Sequence, residues 1–178
     1  MLPELALVAA TIAYGGTFKI VQDALEHLTP AGFILLRFIV GTIALAPIAF
    51  RRGWRRPGVD ASRHDFLIAA LGFGVVGFGG YWLQNAGLER TTTSNAAFIT
   101  GLFVVFTPIV ETVVTRRAPS RNVLLAVGVS AVGLFLLTGA SARLEAGDAL
   151  ELGCALMFGI WIFMGSTLSQ RFDPVALT

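Results

Sequence analysis

The sequence predicts an all-α, polytopic membrane protein, and its composition and long uncharged runs support this fold class. Of its 178 residues, 55% are hydrophobic and only 13% are charged, whereas a soluble domain carries about 25% charged residues. Uncharged runs of about 20 residues recur along the chain, and that length lets a helix cross the hydrocarbon core of a bilayer. We therefore expect six transmembrane helices, with the lipid bilayer as their surroundings.

The first two predicted spans are joined by a short turn that contains proline. The first span is predicted at Leu5–Leu25, and its Lys19 lies one helical turn from an aspartate with which it can pair. Pro30 cannot continue this helix but can begin the next one. The second span is predicted at Ala31–Phe50, with Arg37 as its single charged residue.

The third predicted span, Phe66–Leu88, has no charged residue and contains six glycines, which favour close packing between helices. Gly72, Gly74 and Gly77 also fit the pattern G-x-G-x-x-G of dinucleotide-binding sites. That site requires a strand before the glycines and the start of a helix after them, and an uncharged membrane span provides neither. We therefore assign these glycines to helix packing.

The fourth predicted span, Thr91–Thr115, begins with hydroxyl and amide residues and stays uncharged until Glu111. Pro108 lies inside this span, where it could kink the helix and free carbonyl groups for a solute pathway, or could mark only packing curvature. Glu111 lies close in sequence to Arg116 and Arg117. It is therefore expected either to pair with these arginines or to take part in proton coupling.

The fifth and sixth spans are predicted at Val123–Gly139 and Ala149–Gln170. Eight of the thirteen basic residues fall within residues 51–63 and 116–121, in the loops that follow spans two and four. Positively charged loops remain in the cytoplasm, so we expect a multi-pass protein of the cell (inner) membrane, the plasma membrane, with a cytoplasmic N-terminus. This placement of charge beside apolar spans argues against binding of nucleic acid.

An internal repeat relates the sixth span to the first. An offset of 144 residues brings Gly159 onto Gly15 and aligns the proline-containing turns that follow both spans. The repeat unit then has five spans, and an odd number makes the second copy enter the membrane in the opposite sense, as in many secondary transporters. We expect residues 1–142 to form the first repeat and residues 143–178 to begin a truncated second repeat.

Several short stretches together resemble the EamA-type transporters of the drug/metabolite transporter superfamily. The similar stretches are Tyr14–Phe18, Leu36–Phe38, Gln84–Leu88, Thr91–Ile99 and Thr107–Pro108. The resemblance covers essentially all 178 residues and implies ten helices in two inverted five-helix repeats. It also implies a secondary transporter of small metabolites such as amino acids or drugs, acting as an exporter, with exchange or coupling to protons.

The chain departs from this family pattern because it carries only the first helix of the second repeat. The alternative interpretation is therefore a truncated, non-transporting membrane module or an assembly subunit. A half-size carrier that works as an antiparallel homodimer is disfavoured, since insertion in both orientations requires a weak bias of arginines between the loops.

Two basic residues inside predicted spans are candidates for binding a solute. Placing a charge at the centre of a bilayer costs about 2.5–3.5 kcal/mol or more, so such residues often serve a function. Lys19 could bind a substrate carboxylate, or it could pair with its neighbouring aspartate. Arg37 could bind an anionic group through two hydrogen bonds, or it could bond to carbonyl groups at a helix end.

Aromatic and amide side chains complete the predicted binding site. Aromatic walls with a few amides suit amino acids and small amphipathic solutes. The alternative roles are hydrogen bonding between helices and, for the tryptophan, anchoring at the membrane interface. These candidates are Tyr14, Trp82, Gln84, Asn85 and Asn95.

Neither an enzyme nor a metalloprotein is predicted. Cys154 is the single cysteine, which excludes an internal disulfide and a cysteine-based metal site. The two histidines fall in predicted loops, and no nucleophile lies beside a base in the sequence. We expect no catalytic residue, no cofactor and no metal.

Overall fold

The computed structural model describes residues 20–21, 23–24, 27–56, 58–139 and 145–178. Most of the first predicted span, including Tyr14 and Lys19, lies outside these residues. Within them the structure contains seven named helices and no named strand. The helices are α1 (Pro30–Arg52), α2 (Arg63–Leu88), α3 (Thr93–Gly101), α4 (Phe103–Thr115), α5 (Arg121–Thr138), α6 (Asp148–Leu168) and α7 (Pro174–Leu177).

Helices of membrane-spanning length confirm the predicted fold class. Four helical segments are long and apolar enough to cross a bilayer, namely α1, α2, α3 together with α4, and α6, while α5 is a shorter apolar helix. Their ends differ from the predicted second to sixth spans by no more than three residues. The described part of the chain is therefore an all-α, multi-pass membrane protein.

Side-chain caps fix the starts of the first two helices. The backbone N–H of Gly32 donates to Oγ1 of Thr29 over 3.2 Å at the start of α1. At the start of α2, the N–H of Asp65 donates to Oγ of Ser62 over 3.0 Å, and the Ser62 N–H donates to Oδ2 of Asp65 over 3.4 Å. Each cap satisfies backbone donors that have no partner within the helix and contributes about 1 kcal/mol.

The fourth predicted span is interrupted, but not at its proline. The interruption lies at Leu102, between α3 and α4, where the N–H of Leu102 bonds to the carbonyl of Ile99 over 3.0 Å. Pro108 lies inside α4. Gly101 directly precedes the interruption, and a glycine within a helix costs about 1 kcal/mol relative to alanine. The interruption thus lies about two turns before the proline.

Glycines on α2 allow α6 to pack closely against it in the antiparallel direction. A Cβ atom on Gly77 would lie 2.9 Å from Nε1 of Trp161, and one on Gly80 would lie 2.6 Å from Cε1 of Phe158. The predicted packing role is therefore confirmed for Gly77. Gly74, in contrast, has no neighbouring atom within 4 Å of such a position, because it faces away from α6.

The up-and-down order of the helices collects arginines at one end of the bundle. Phe38 on α1 lies beside Tyr81 on α2, with ring centroids 5.8 Å apart. Trp54, after α1, lies beside Phe66 near the start of α2, at 5.4 Å. α1, α4 and α6 end at the end of the bundle that contains Trp54 and Phe66, and α2 and α5 begin there. The arginines at this end are Arg51, Arg52, Arg55, Arg56, Arg63, Arg116, Arg117, Arg121 and Arg171.

Candidate functional site

Arg37 makes the principal polar contact between α1 and α2. Its Nη2 donates a long hydrogen bond to the hydroxyl of Tyr81 over 3.4 Å. The Cζ atom of Arg37 also lies 4.3 Å from the centroid of the Tyr81 ring, within the range in which a cation is attracted to an aromatic face. The guanidinium group is half-buried, so it keeps unused donors on the inner side of α1.

An apolar pocket lies directly beside this contact. It has a volume of about 210 Å³ and is lined by Tyr81, Phe103, Phe158, Trp161 and Ile162. Tyr81 meets Phe158 edge to face at 5.0 Å between ring centroids. The pocket is therefore lined by aromatic rings in mutual contact, and one of them, Tyr81, also carries the guanidinium group of Arg37 against its face. We call these residues, together with Arg37, the aromatic site.

A buried polar cluster lies further toward the end of the bundle at which α2 ends and α6 begins. The hydroxyl of Thr100 donates to Oε2 of Glu151 over 2.7 Å, and Nε2 of Gln84 donates to the Thr100 oxygen over 3.4 Å. Glu151 is fully buried, with 0% of its surface exposed. Its Oε1 atom has no hydrogen-bond partner within the described residues.

A second set of hydrogen bonds ties the end of α2 to the start of α6. The hydroxyl of Thr91 donates to Oδ1 of Asp148 over 2.5 Å. The other carboxylate oxygen of Asp148 accepts a bond from the N–H of Glu145 over 2.9 Å. The N–H of Gly147 donates to the carbonyl of Arg90 over 3.1 Å. These bonds hold α6, and with it half of the aromatic site, in register with α2.

We expect Thr91→Val to destabilise the protein by about 1–3 kcal/mol, because Asp148 would keep its buried carboxylate but lose the hydroxyl donor. Thermal unfolding in detergent measures the effect. Thr112→Val is the matched control, since the Thr112 hydroxyl bonds to the carbonyl of Pro108 within its own helix. If both variants unfolded at the temperature of the parent protein, the bond between Thr91 and Asp148 would not contribute to stability.

The predicted site residues fall into separate groups. Arg37 belongs to the aromatic site, whereas Gln84 belongs to the buried polar cluster. Asn85 and Asn95 are both 2% exposed and do not line the pocket. The Trp82 side chain is 46% exposed and also lies outside the pocket, an arrangement that suits the alternative role of interface anchor.

Four important side chains were not identified from the sequence. Tyr81 supplies the ring beside Arg37, and the pair Phe158 and Trp161 supplies the opposite wall. Glu151 was overlooked because it stands only three residues after the start of α6, close to a charged loop. The sequence feature that could have identified Glu151 is its position as an acidic residue inside an otherwise apolar predicted span.

The predicted pairing of Glu111 with the following arginines is not found. Within the described residues the structure contains one ion pair, between Asp65 and Arg171 at 3.9 Å. Arg116 adopts a left-handed conformation with φ 56° directly after α4, which turns the chain away from the helix. Glu111 is exposed and lines a wider cavity of about 480 Å³ at the arginine-rich end of the bundle.

Apolar helices of spanning length, with an aromatic pocket between them, define a multi-pass membrane protein. A family profile described as the EamA-like transporter family matches residues 1–139. The chain therefore belongs to the EamA-like transporter family, as the sequence resemblance predicted.

Two curated relatives extend this comparison. The chain is 33% identical over 174 residues to an "Uncharacterized transporter" of Archaeoglobus fulgidus, with 98% of this chain and 52% of the relative covered. It is 26% identical over 170 residues to a "Probable terminal-alkyne amino-acid exporter" of Streptantibioticus cattleyicolor, with 94% and 56% covered. The chain thus spans about half the length of these relatives. No solved structure matches it significantly.

Proposed function

We propose that this chain is the N-terminal part of a secondary transporter that exports small amphipathic metabolites, foremost amino acids and related compounds. The observation that carries this proposal is the half-buried Arg37, whose guanidinium group lies against Tyr81, one of the rings that line an apolar pocket. Arg37 forms no ion pair within the described residues. A cation in an apolar bundle without a carboxylate partner is suited to bind a carboxylate from a solute.

The aromatic site matches the two chemical halves of an amino acid. The carboxylate would accept hydrogen bonds from Arg37, while the solute's side chain would pack against Phe158 and Trp161. The pocket volume of about 210 Å³ is below the range of roughly 300–1,000 Å³ for complete ligand sites. In this proposal the second half of a longer protein supplies the remaining wall.

The proposed topology follows the predicted repeat. Residues 1–142 form the first five-helix repeat and residues 143–178 begin an inverted second repeat, with the arginine-rich end in the cytoplasm of the inner (plasma) membrane. The family match ends at residue 139, and the relatives are about twice as long, which supports this division. Exchange or coupling to protons would drive transport. The name of the Streptantibioticus relative supports both amino acids and export.

Counterflow in proteoliposomes tests the proposed function. The complete protein would be reconstituted, the vesicles loaded with unlabelled phenylalanine, and the uptake of labelled phenylalanine measured. We expect transient accumulation of the label. Phenethylamine is the matched control solute, since it keeps the aromatic ring but lacks the carboxylate, and it should compete poorly. Equal competition by the amine, or no counterflow of any proteinogenic amino acid, would contradict the proposal.

The alternative function is a non-transporting membrane module, and the half-length match to the relatives is the observation that favours it. The same assay separates the two functions when the 178-residue chain and the complete protein are reconstituted in parallel. Counterflow that requires the complete protein would support the transporter. If neither preparation transported any solute although both were folded, the module would be favoured.

A further inference from the structure

Glu151 is a buried ionisable group that the aromatic site does not use. It lies on the first turn of α6, where its surroundings come from three helices. Gly87 on α2 closes one side, since a Cβ atom there would lie 2.9 Å from Oε1 of Glu151. Thr100 on α3 closes another side through its hydrogen bond of 2.7 Å to Oε2. The carboxyl group is therefore enclosed by protein rather than by lipid.

The charged and titratable groups around Glu151 offer it no positive partner within the described residues. Asp148 and Cys154 lie one turn away on either side along α6, and neither can carry a positive charge. The side chains that α2 and α3 place against it, such as Gln84 and Thr100, do not titrate. Arg90 at the end of α2 is exposed, and only its backbone carbonyl contacts the start of α6.

The two oxygens of the Glu151 carboxyl group differ in their surroundings. Oε2 accepts the hydroxyl hydrogen of Thr100, whereas Oε1 is buried without a hydrogen-bond partner within the described residues. A buried charge requires a partner or several hydrogen bonds, and acidic residues within membrane spans commonly form proton relays. An oxygen in this position can carry a proton without losing an existing hydrogen bond.

We propose that Glu151 is a proton-binding site, which carries a proton on Oε1 while α6 is packed against α2 and releases it to water when these helices separate. The reaction is the transfer of one proton between the carboxyl group and water, and no other bond forms or breaks. Water can reach Oε1 only if α6 moves away from Gly87, because the protein encloses that oxygen completely. Proton release therefore requires movement of α6.

Helix α6 carries both Glu151 and two residues of the aromatic site. Phe158 and Trp161, which line the pocket, lie about two and three turns beyond Glu151 on α6. A movement of α6 that exposes Glu151 would thus change the pocket as well. This link to transport rests on the proposed function, whereas proton binding by Glu151 does not.

Infrared spectroscopy tests proton binding independently of transport. At neutral pH, exposed carboxyl groups are ionised, so a carbonyl stretching band of a protonated carboxyl group reports a buried acid. We expect this band in the parent protein and in Glu111→Gln, whose carboxyl group is exposed at the other end of the bundle. The band should be absent from Glu151→Gln. Its absence from the parent protein, or its persistence in Glu151→Gln, would overturn the proposal.

A second variant, Thr100→Val, retains the Glu151 carboxyl group, so the proposal can still be tested if Glu151→Gln does not fold. Thr100→Val removes the hydroxyl that donates to Oε2 and should shift the same band to higher frequency, since a hydrogen bond weakens the bond of the carbonyl that accepts it. An unshifted band in a folded Thr100→Val variant would mean that the protonated acid is not Glu151.

Transport assays then separate the failure of this inference from the failure of the proposed function. With a pH gradient imposed, solute flux through the complete protein should rise several-fold over flux without a gradient. In Glu151→Gln this ratio should fall to about one, while counterflow without a gradient persists. A retained ratio in Glu151→Gln would overturn the coupling role of Glu151. Absence of counterflow from the parent protein would instead contradict the proposed function and leave the infrared result as the test of proton binding.

Discussion

Arg37→Gln is expected to weaken binding of a carboxylate-bearing solute by a factor of about 10 to 150. Hydrogen bonds to a charged group contribute about 1.5–3 kcal/mol, and each 1.4 kcal/mol corresponds to about a factor of ten. Glutamine preserves much of the length of the side chain but removes the charge and the paired donors of the guanidinium group. The concentration of phenylalanine that gives half-maximal counterflow by the complete protein measures the effect.

Two further variants distinguish the role of Arg37 from a purely structural one. Arg37→Lys keeps the charge but loses the planar pair of donors, so it should bind the solute with intermediate affinity. Tyr81→Phe keeps the aromatic ring and removes only the hydroxyl that accepts the 3.4 Å bond from Arg37, so its loss should be small. If Arg37→Gln and Lys19→Ala both left the affinity unchanged, the assignment of the binding residues would be wrong.

Gly147→Ala is expected to cause the largest loss of stability. A Cβ atom on Gly147 would lie 2.3 Å from the carbonyl oxygen of Gly87 and 2.7 Å from the carbonyl carbon of Arg90. Both obstacles are backbone atoms, which cannot rotate away as a side chain can. Overpacking typically costs about 1–3 kcal/mol, and here the clash would also separate α6 from α2. The yield of monodisperse protein and its unfolding temperature in detergent measure the effect.

Gly128→Ala provides the matched control for this prediction. Gly128 lies inside α5, and a Cβ atom there would have no neighbour within 4 Å. Alanine is favoured over glycine within a helix by about 0.5–1 kcal/mol, so this variant should be as stable as the parent protein or slightly more stable. Equal stability of Gly147→Ala and Gly128→Ala would mean that the contact between the end of α2 and the start of α6 is looser than described.

The helices were predictable because membrane spans depend on local composition. A run of apolar residues of sufficient length must form a helix in lipid, since every backbone group needs a partner within the span. The predicted bounds of α2 and α6 follow from this requirement, whereas the start of α2 at Arg63, three residues before the predicted Phe66, follows from the Ser62 cap. The interruption at Leu102 was not predicted from composition, because Gly101 beside it packs against Leu134 of α5, which is distant in sequence.

The candidate site was only partly predictable because the sequence does not tell which face of a helix meets which neighbour. Tyr81 and Trp82 are adjacent aromatic residues, but successive residues point about 100° apart around a helix. Tyr81 consequently faces the pocket while Trp82 lies on the exposed side. Arg37 was identifiable as a lone charge in an apolar span, whereas the burial of Glu151 depends on Gly87 and Thr100, which are distant from it in sequence.

The central claim is that the solute binds at the aromatic site, and tryptophan fluorescence of the complete protein tests it most directly. The parent protein, Trp161→Phe and Trp82→Phe would each be titrated with phenylalanine. We predict a saturable change in emission from the parent protein and from Trp82→Phe, because Trp82 lies outside the pocket. The change should be lost in Trp161→Phe. A change of the same size in Trp161→Phe, or a parent protein that transports phenylalanine without any change in emission, would contradict the claim.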